Sequence, residues 1–128
     1  MTVYLTAEQI LFLHDRLIRE TGGSHGVRDL SLLLSAVSRP QSTFEGRNLY
    51  PDIYNQAAAL MVSLVRNHPF VDGNKRTGVV AAGLFLRING FRLVSQQEEL
   101  VAIAVRVATG RIQLDELAGW LRSSSSAE

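Results

Sequence analysis

The sequence has no cysteine, only three prolines and one tryptophan, and a single lysine among its 128 residues. Without cysteine the chain has neither disulfides nor thiolate ligands, so a structural zinc site is not expected. No apolar run approaches the roughly 20 residues that a membrane-spanning helix needs, and the first residues do not resemble a secretion signal. We therefore expect a soluble, cytoplasmic protein with no membrane partner.

Charge of one sign is not concentrated anywhere in the chain. The 13 Lys and Arg residues nearly balance 12 Asp and Glu residues, and both kinds are spread along the sequence. Proteins that follow a nucleic-acid backbone usually carry a basic block, so no direct nucleic-acid partner is expected. A hydrophobic fraction of 46% can form one core of modest size. We predict a single domain over residues 1–122.

Apolar residues recur at helical spacing in most of the chain, which predicts an all-α fold. Residues that can cap the first turn precede four predicted helices: Thr6 (with Gln9), Asp29, Asp52 and Ser95 (with Glu98). The breaks that end the first five helices are Gly22, Arg39-Pro40, His68-Pro69, Asn89-Gly90 and Thr109-Gly110. The helix that begins near Asn74 is apolar nearly all round, which predicts a central helix enclosed by the others. A last helix is predicted over residues 114–121.

Two segments lack helical periodicity. Residues 41–51, called the flap below, contain Gly46 among polar and aromatic residues and are predicted to form a surface flap or short hairpin. Residues 123–128 form a serine-rich tail with too few apolar groups to pack, so we expect it to be disordered.

The most informative segment follows the third helix, because it places two cations in the first turn of the fourth. The segment is His68-Pro69-Phe70-Val71-Asp72-Gly73-Asn74-Lys75-Arg76-Thr77. At a helix start the dipole is already positive and backbone N–H groups are free, so Lys75 and Arg76 are unfavourable there unless an anion binds. A phosphate group fits such a site. Lys75 is also the only lysine in the chain, against twelve arginines.

The residue types in this segment are sufficient for phosphoryl transfer. His68 is the candidate general base, because imidazole is the side-chain group best suited to proton transfer at neutral pH, and Asp72 is the candidate Mg²⁺ ligand. Gly73 allows close approach of a phosphate, while Asn74 can cap the helix or donate to a phosphate oxygen. Lys75 and Arg76 would neutralise the remaining charge. Phe70 and Val71 are expected to anchor the segment in the core, and His14 and His25 to have structural roles.

Residues His68 to Arg76 resemble the signature of the Fic/Doc superfamily, which is H-x-F-x-[DE]-G-N-[GK]-R, where x is any residue. Lys75 and the flanking segments Leu49-Tyr50-Pro51 and 85–91 resemble the Doc branch, the death-on-curing toxins of bacterial toxin–antitoxin pairs. The resemblance extends from Leu5 to about Trp120. It implies a Fic-type helical bundle, His68 as base, Asp72 on Mg²⁺, and nucleotide phosphates on Gly73, Asn74, Lys75 and Arg76. It also implies a flap that aligns the target peptide, with docking residues Phe44, Glu45, Gly46 and Arg47.

The resemblance implies a kinase that transfers the terminal phosphate of ATP to a threonine of elongation factor Tu or a similar translation factor. Adenylylating Fic enzymes have Gly where this chain has Lys75, and a second Arg where it has Val79. An adenylyltransferase and an inactive protein-binding module are the alternatives that stay open. Gln41 stands where the family's inhibitory motif has a hydroxyl residue, so restraint is expected from an antitoxin whose disordered C-terminal segment folds into a groove.

Overall fold

A computed structural model describes all 128 residues as six α-helices and four short strands. The helices are α1 (Ala7–Thr21), α2 (Leu30–Ser38), α3 (Ile53–Asn67), α4 (Asn74–Ile88), α5 (Gln97–Ala108) and α6 (Leu114–Ser123). One turn of 3₁₀ helix, Arg39–Gln41, follows α2. The strands are β1 (Thr43–Phe44), β2 (Arg47–Asn48), β3 (Phe91–Leu93) and β4 (Ser125–Ala127). The predicted all-α fold with a short hairpin is confirmed. None of the helices combines the length and apolar character needed to span a membrane.

Three of the four predicted helix caps are present. The Thr6 hydroxyl accepts from the Gln9 backbone N–H at 3.2 Å, and the Asp29 and Asp52 carboxylates accept from N–H groups of the first turns of α2 and α3. The predicted cap at Ser95 is wrong, because Gln96 is the N-cap of α5 and no side chain caps it. The Val94 N–H donates to the Ser124 carbonyl at 2.6 Å, which keeps the chain extended beyond β3 and moves the helix start to Gln97.

The core is one cluster of 22 buried residues, and α3 is the helix that it encloses most completely. Helix α3 lies against α2, α4, α5 and α6, whereas α4 packs against α3, α1 and α5 and leaves Val80 38% exposed. Part of the apolar surface of α4 therefore lines a groove instead of the core. Gly78 lets α3 and α4 approach closely, because a Cβ atom there would lie 2.5 Å from Val65 Cγ2. This close packing fixes the two ends of the connection between the helices.

The flap is a β-hairpin with a two-residue turn. Strands β1 and β2 are antiparallel, with Thr43 opposite Asn48, and the turn residues Glu45 and Gly46 both have positive φ, 51° and 78°. Positive φ at both positions is typical of the type I′ turn that matches the twist of a hairpin. The base of the flap is held by Arg39, whose guanidinium donates to the Tyr50 hydroxyl at 2.9 Å and to the Ser63 hydroxyl at 3.0 Å.

The serine-rich tail does not have the predicted disorder. Ser123 is the last residue of α6, and Ser125–Ala127 form β4, which pairs antiparallel with β3 and sets Ser126 opposite Arg92. The Glu128 N–H also donates to the Gly90 carbonyl at 2.9 Å. The prediction failed because it counted apolar side chains, whereas strand pairing uses backbone groups that every serine has.

Candidate functional site

Residues 68–73 connect α3 to α4 and are called the central loop below. Phe70 is 1% exposed and anchors the loop in the core, as predicted. Val71 is 56% exposed, so its predicted role as an anchor is wrong. Asn74 closes the loop, because its Oδ1 accepts from the Phe70 N–H and its Nδ2 donates to the Phe70 carbonyl, both at 3.0 Å. Asn74 therefore lies behind the loop and shapes it, and Gly73 is the N-cap of α4.

The connection between α1 and α2, residues 22–29, braces the central loop along its length. Arg28 donates from its guanidinium to the His68 carbonyl at 2.6 Å and to the Asn67 carbonyl at 2.8 Å, which satisfies the end of α3. The Arg28 backbone N–H donates to the Pro69 carbonyl, and the Val71 N–H donates to the Gly26 carbonyl. Five hydrogen bonds join residues 22–29 to the central loop, which makes the loop a rigid platform. No pattern in the sequence identified Arg28, because its partners lie about 40 residues along the chain.

His68 is exposed and has a left-handed backbone conformation, with φ 51°. Its Nδ1 lies 3.1 Å from the Arg66 carbonyl oxygen. Since a carbonyl oxygen only accepts, this contact assigns the hydrogen to Nδ1 and leaves Nε2 with a free lone pair in the neutral ring. A histidine held in this way can take a proton at Nε2, as a general base must.

Asp72 presents an exposed carboxylate at the edge of the loop. Hydrogen bonds from the backbone N–H of Ser24 at 3.1 Å and of Gly73 at 2.8 Å lower the pKa of this carboxyl, and the charge of Arg76 lowers it further. The group is therefore ionised at neutral pH. Glycine is favoured at position 23 beside it, because φ is 117° and a Cβ atom would lie 2.6 Å from Asp72 Oδ2.

The Asp72 carboxylate has the donor chemistry of a partial magnesium site. Each oxygen accepts one backbone hydrogen bond and has lone-pair capacity left. No group of three or more His, Cys, Asp or Glu side chains could hold a metal without other ligands. Mg²⁺ is commonly held by one or two carboxylates together with waters and substrate phosphates, and this donor set matches that chemistry.

The two cations lie in the first turn of α4, as predicted, and neither forms an ion pair. No side chain caps the helix, so its first N–H groups add to the positive field. Arg76 is oriented by the end of α1, where its guanidinium donates to the Thr21 hydroxyl and to the Gly22 carbonyl. Lys75 is exposed. The structure thus places the first N–H groups of α4 and two cations that form no ion pair next to Asp72, directly after the loop that begins at His68.

Gly73 has no side chain, so the space between the start of α4 and α1 is left free. Its φ of 77° is in the left-handed region, and a Cβ atom there would lie 3.0 Å from Ile18 Cδ1. A side chain would strain the backbone and crowd α1. Glycine is therefore needed between the carboxylate of Asp72 and the start of α4.

Apart from Asn74, whose buried side chain is bonded to Phe70 behind the loop, the predicted site residues fall into two groups in space. His68, Asp72, Gly73, Lys75 and Arg76 lie together on the central loop and the first turn of α4. The flap residues form a separate exposed hairpin, at which Phe44 is 68% exposed, and no hydrogen bond joins the flap to the central loop.

An apolar groove begins beside the cations and runs between α1, α4 and α5. It encloses about 290 Å³, with Lys75, Arg76 and Thr21 at its polar end. Val79 and Val80 of α4 face Leu100, Val101 and Val105 of α5 across it. This surface was not identified from the sequence, because the same apolar residues were assigned to the core.

Comparison with known proteins identifies the family. Residues 4–86 match the model of the Fic/DOC family, which covers more than half of the chain. The chain is 43% identical to "Toxin Doc" of Mycolicibacterium smegmatis, over 99% of this chain and 97% of that protein. It is also 34% identical to "Protein kinase doc" of Escherichia phage P1, over 93% of each chain. The helical bundle and the loop between α3 and α4 define a Fic-type protein. The chain belongs to the Fic/DOC family, and within it to the Doc toxins.

Proposed function

We propose that this protein is a protein kinase toxin that transfers the terminal phosphate of ATP to a threonine hydroxyl of elongation factor Tu or a similar translation factor. The observation that carries the proposal is the positive charge of Lys75 and Arg76, which form no ion pair, at the uncapped start of α4, directly after the loop that carries His68 and Asp72. Transfer to a translation factor would inhibit translation. The phage relative is named a protein kinase, which supports this reaction.

His68 supplies the base. Its Nε2 takes the proton from the attacking hydroxyl while the new O–P bond forms at the γ-phosphorus and the bond to the β,γ-bridging oxygen breaks. ADP is the leaving group. The Nδ1–H bond to the Arg66 carbonyl keeps Nε2 free for this proton and would stabilise the imidazolium that results.

The remaining residues position the phosphates. Asp72 would hold Mg²⁺, which supplies charge neutralisation to the phosphate oxygens when it is bound. The first N–H groups of α4, with Lys75 and Arg76, bind the phosphate oxygens, and Gly73 leaves room for them. Asn74 contributes by fixing the loop through Phe70. Phosphoryl transfer needs little more than such positioning and charge stabilisation.

The flap is the proposed docking element for the protein substrate. Its strands have few residues and exposed edges, so an extended peptide can add to them through backbone hydrogen bonds. Phe44 and Arg47 would contact the peptide side chains, while Glu45 and Gly46 form the turn. Arg39 links the base of the flap to α3, because its guanidinium bonds both the Tyr50 hydroxyl and the Ser63 hydroxyl of α3.

A cognate antitoxin is the proposed regulator, a proposal that the toxin name of the Mycolicibacterium smegmatis relative supports. Its disordered C-terminal segment would fold as an amphipathic helix in the groove between α1, α4 and α5. Apolar residues of that segment would contact Val79, Leu100 and Val101, and acidic residues would face Lys75 and Arg76. The antitoxin would then occupy the entrance to the phosphate site.

The test uses ATP labelled at the α- or the γ-phosphate. The protein is incubated with Mg²⁺ and purified translation factors, and the transferred label is followed. Label from γ alone is expected. Label from α alone would contradict the kinase assignment and identify an adenylyltransferase, and no label from either would favour an inactive binding module.

His68→Ala is the matched control variant for this assay. It is expected to abolish transfer while nucleotide binding is largely kept, because the base is needed for the attack and not for holding phosphates. Full transfer by this variant would show that His68 is not the base.

A further inference from the structure

We infer that His14, which lies in α1 and outside the family signature, is a positioning residue that sets the orientation of the Asp72 carboxylate. The inference rests on the proposed function, in which Asp72 holds Mg²⁺ with the nucleotide. His14 is 4% exposed and lies 58 residues from Asp72 in the sequence.

Two contacts fix the His14 ring. It stacks on the Phe70 ring with a centroid distance of 3.8 Å and an interplanar angle of 5°. Its Nε2 lies 2.8 Å from the Asp72 carbonyl oxygen. Because that oxygen only accepts, Nε2 must carry the hydrogen and donate it. Phe70 is itself held by Asn74, so the ring, the loop and the start of α4 form one packed unit.

The hydrogen bond from His14 acts on the carboxylate through the Asp72–Gly73 peptide plane. The carbonyl of this peptide accepts from His14, and its N–H, on the opposite side of the plane, donates to Asp72 Oδ1 at 2.8 Å. A planar peptide turns as a unit. Fixing the carbonyl therefore fixes the direction of the N–H, and with it one oxygen of the carboxylate.

Little else holds this peptide plane. Gly73 is in the left-handed conformation, and glycine has wide freedom to leave it. The Ser24 N–H holds the other carboxylate oxygen at 3.1 Å, but this bond does not touch the peptide. Without the bond from His14, the plane can rotate and the carboxylate loses the fixed geometry that Mg²⁺ demands.

The test compares three variants by amide hydrogen exchange and by magnesium-dependent ATP binding. His14→Phe keeps the stacking on Phe70 and removes the donor. His14→Gln places its Nε2 near the position of the imidazole Nε2, so it can restore the donor. His14→Asn has a shorter amide that does not reach the Asp72 carbonyl, and it serves as the second donor-deficient variant if the Phe variant does not fold.

In His14→Phe or His14→Asn, the Gly73 amide is expected to exchange roughly 5- to 10-fold faster, since one neutral hydrogen bond is lost. Binding of ATP with Mg²⁺ should weaken by a similar factor, whereas binding without Mg²⁺ should not change. His14→Gln should restore both measurements toward the wild-type values. The thermal unfolding midpoint of each variant is the control for a general loss of stability.

Unchanged exchange at Gly73 in the donor-deficient variants would overturn the inference. A uniform rise in exchange across α1 and α4 would overturn it as well, because it would show a merely structural role. If the wild type binds no ATP with Mg²⁺, the proposed function fails. The exchange of the Gly73 amide would then still decide the role of His14 in the loop.

Discussion

At the scale of single residues, the central loop shows which features of a site can be predicted from a sequence. Lys75 and Arg76 were identified because cations are unfavourable at a helix start, and the structure leaves both without an ion pair. His14 and Arg28 were not identified as part of the site. Their partners lie 58 and 40 residues away, and only the folded chain brings them to the loop.

The Asp72 carboxylate should give a characteristic pH dependence of stability. Its pKa lies below the ordinary value of 3.8 because the Ser24 and Gly73 N–H groups bind the charged form. The stabilisation of the folded state by the ionised Asp72 carboxylate is present above pH 3.8 and is lost as the pH falls through the lowered pKa. We expect the difference in unfolding free energy between wild type and Asp72→Asn to narrow in acid, as measured by urea unfolding. A difference that stays constant from neutral to acid pH would contradict this account of Asp72.

Lys75 should control which phosphate of ATP lies beside His68. In Lys75→Gly the side chain at the entrance to the site is removed, and glycine also weakens the first turn of α4. We expect the variant to transfer some label from α-labelled ATP, with Lys75→Arg as a control that keeps the charge. If only γ label is transferred by the glycine variant, Lys75 does not determine the orientation of the nucleotide.

At the scale of helices and strands, most elements could be predicted because their signals are local. Thr6, Asp29 and Asp52 cap helices within three residues of their own positions. The prediction at Ser95 failed because the chain before it is held by a long-range pairing with Ser124. The close approach of α3 and α4 was also not predicted, since Gly78 has no distinctive sequence context.

Gly78 provides a direct test of that helix packing. Gly78→Ala places a methyl group 2.5 Å from Val65 Cγ2 and should destabilise the protein by about 1–3 kcal/mol through overpacking. Gly119→Ala in α6 is the matched control, because no atom lies within 4 Å of its added Cβ. The control should be neutral or stabilising by up to about 1 kcal/mol. Equal effects of the two changes on the free energy of unfolding would contradict the packing argument.

At the scale of the whole molecule, the helical bundle was predictable from composition and periodicity, and the arrangement of its surfaces was not. The apolar residues of α4 were all assigned to the core, yet Val80 lies in the groove that α1 and α5 complete. Periodicity shows that a face is apolar but not whether another element covers it. The C-terminal strand was missed for a related reason, because its pairing with β3 depends on backbone groups.

Deleting residues 125–128 tests whether the tail is part of the fold. The deletion removes β4 and leaves the N–H and carbonyl groups of β3 unpaired. We expect the thermal unfolding midpoint to fall by about 4 °C for each kcal/mol of stability lost, while the proposed reaction at His68 is kept. Ser126→Ala is the control, since it keeps the backbone pairing. An unchanged midpoint in the deletion variant would show that the predicted disorder was right after all.

The central claim is that the start of α4 tolerates two cations because it binds a nucleotide triphosphate with magnesium. Isothermal titration calorimetry of the purified protein with ATP, with and without Mg²⁺, measures this directly. We expect magnesium-dependent binding that is weakened in Asp72→Asn and in a Lys75→Gln, Arg76→Gln double variant. Absence of magnesium-dependent uptake of any purine triphosphate by the wild type, with or without an acceptor protein, would contradict it.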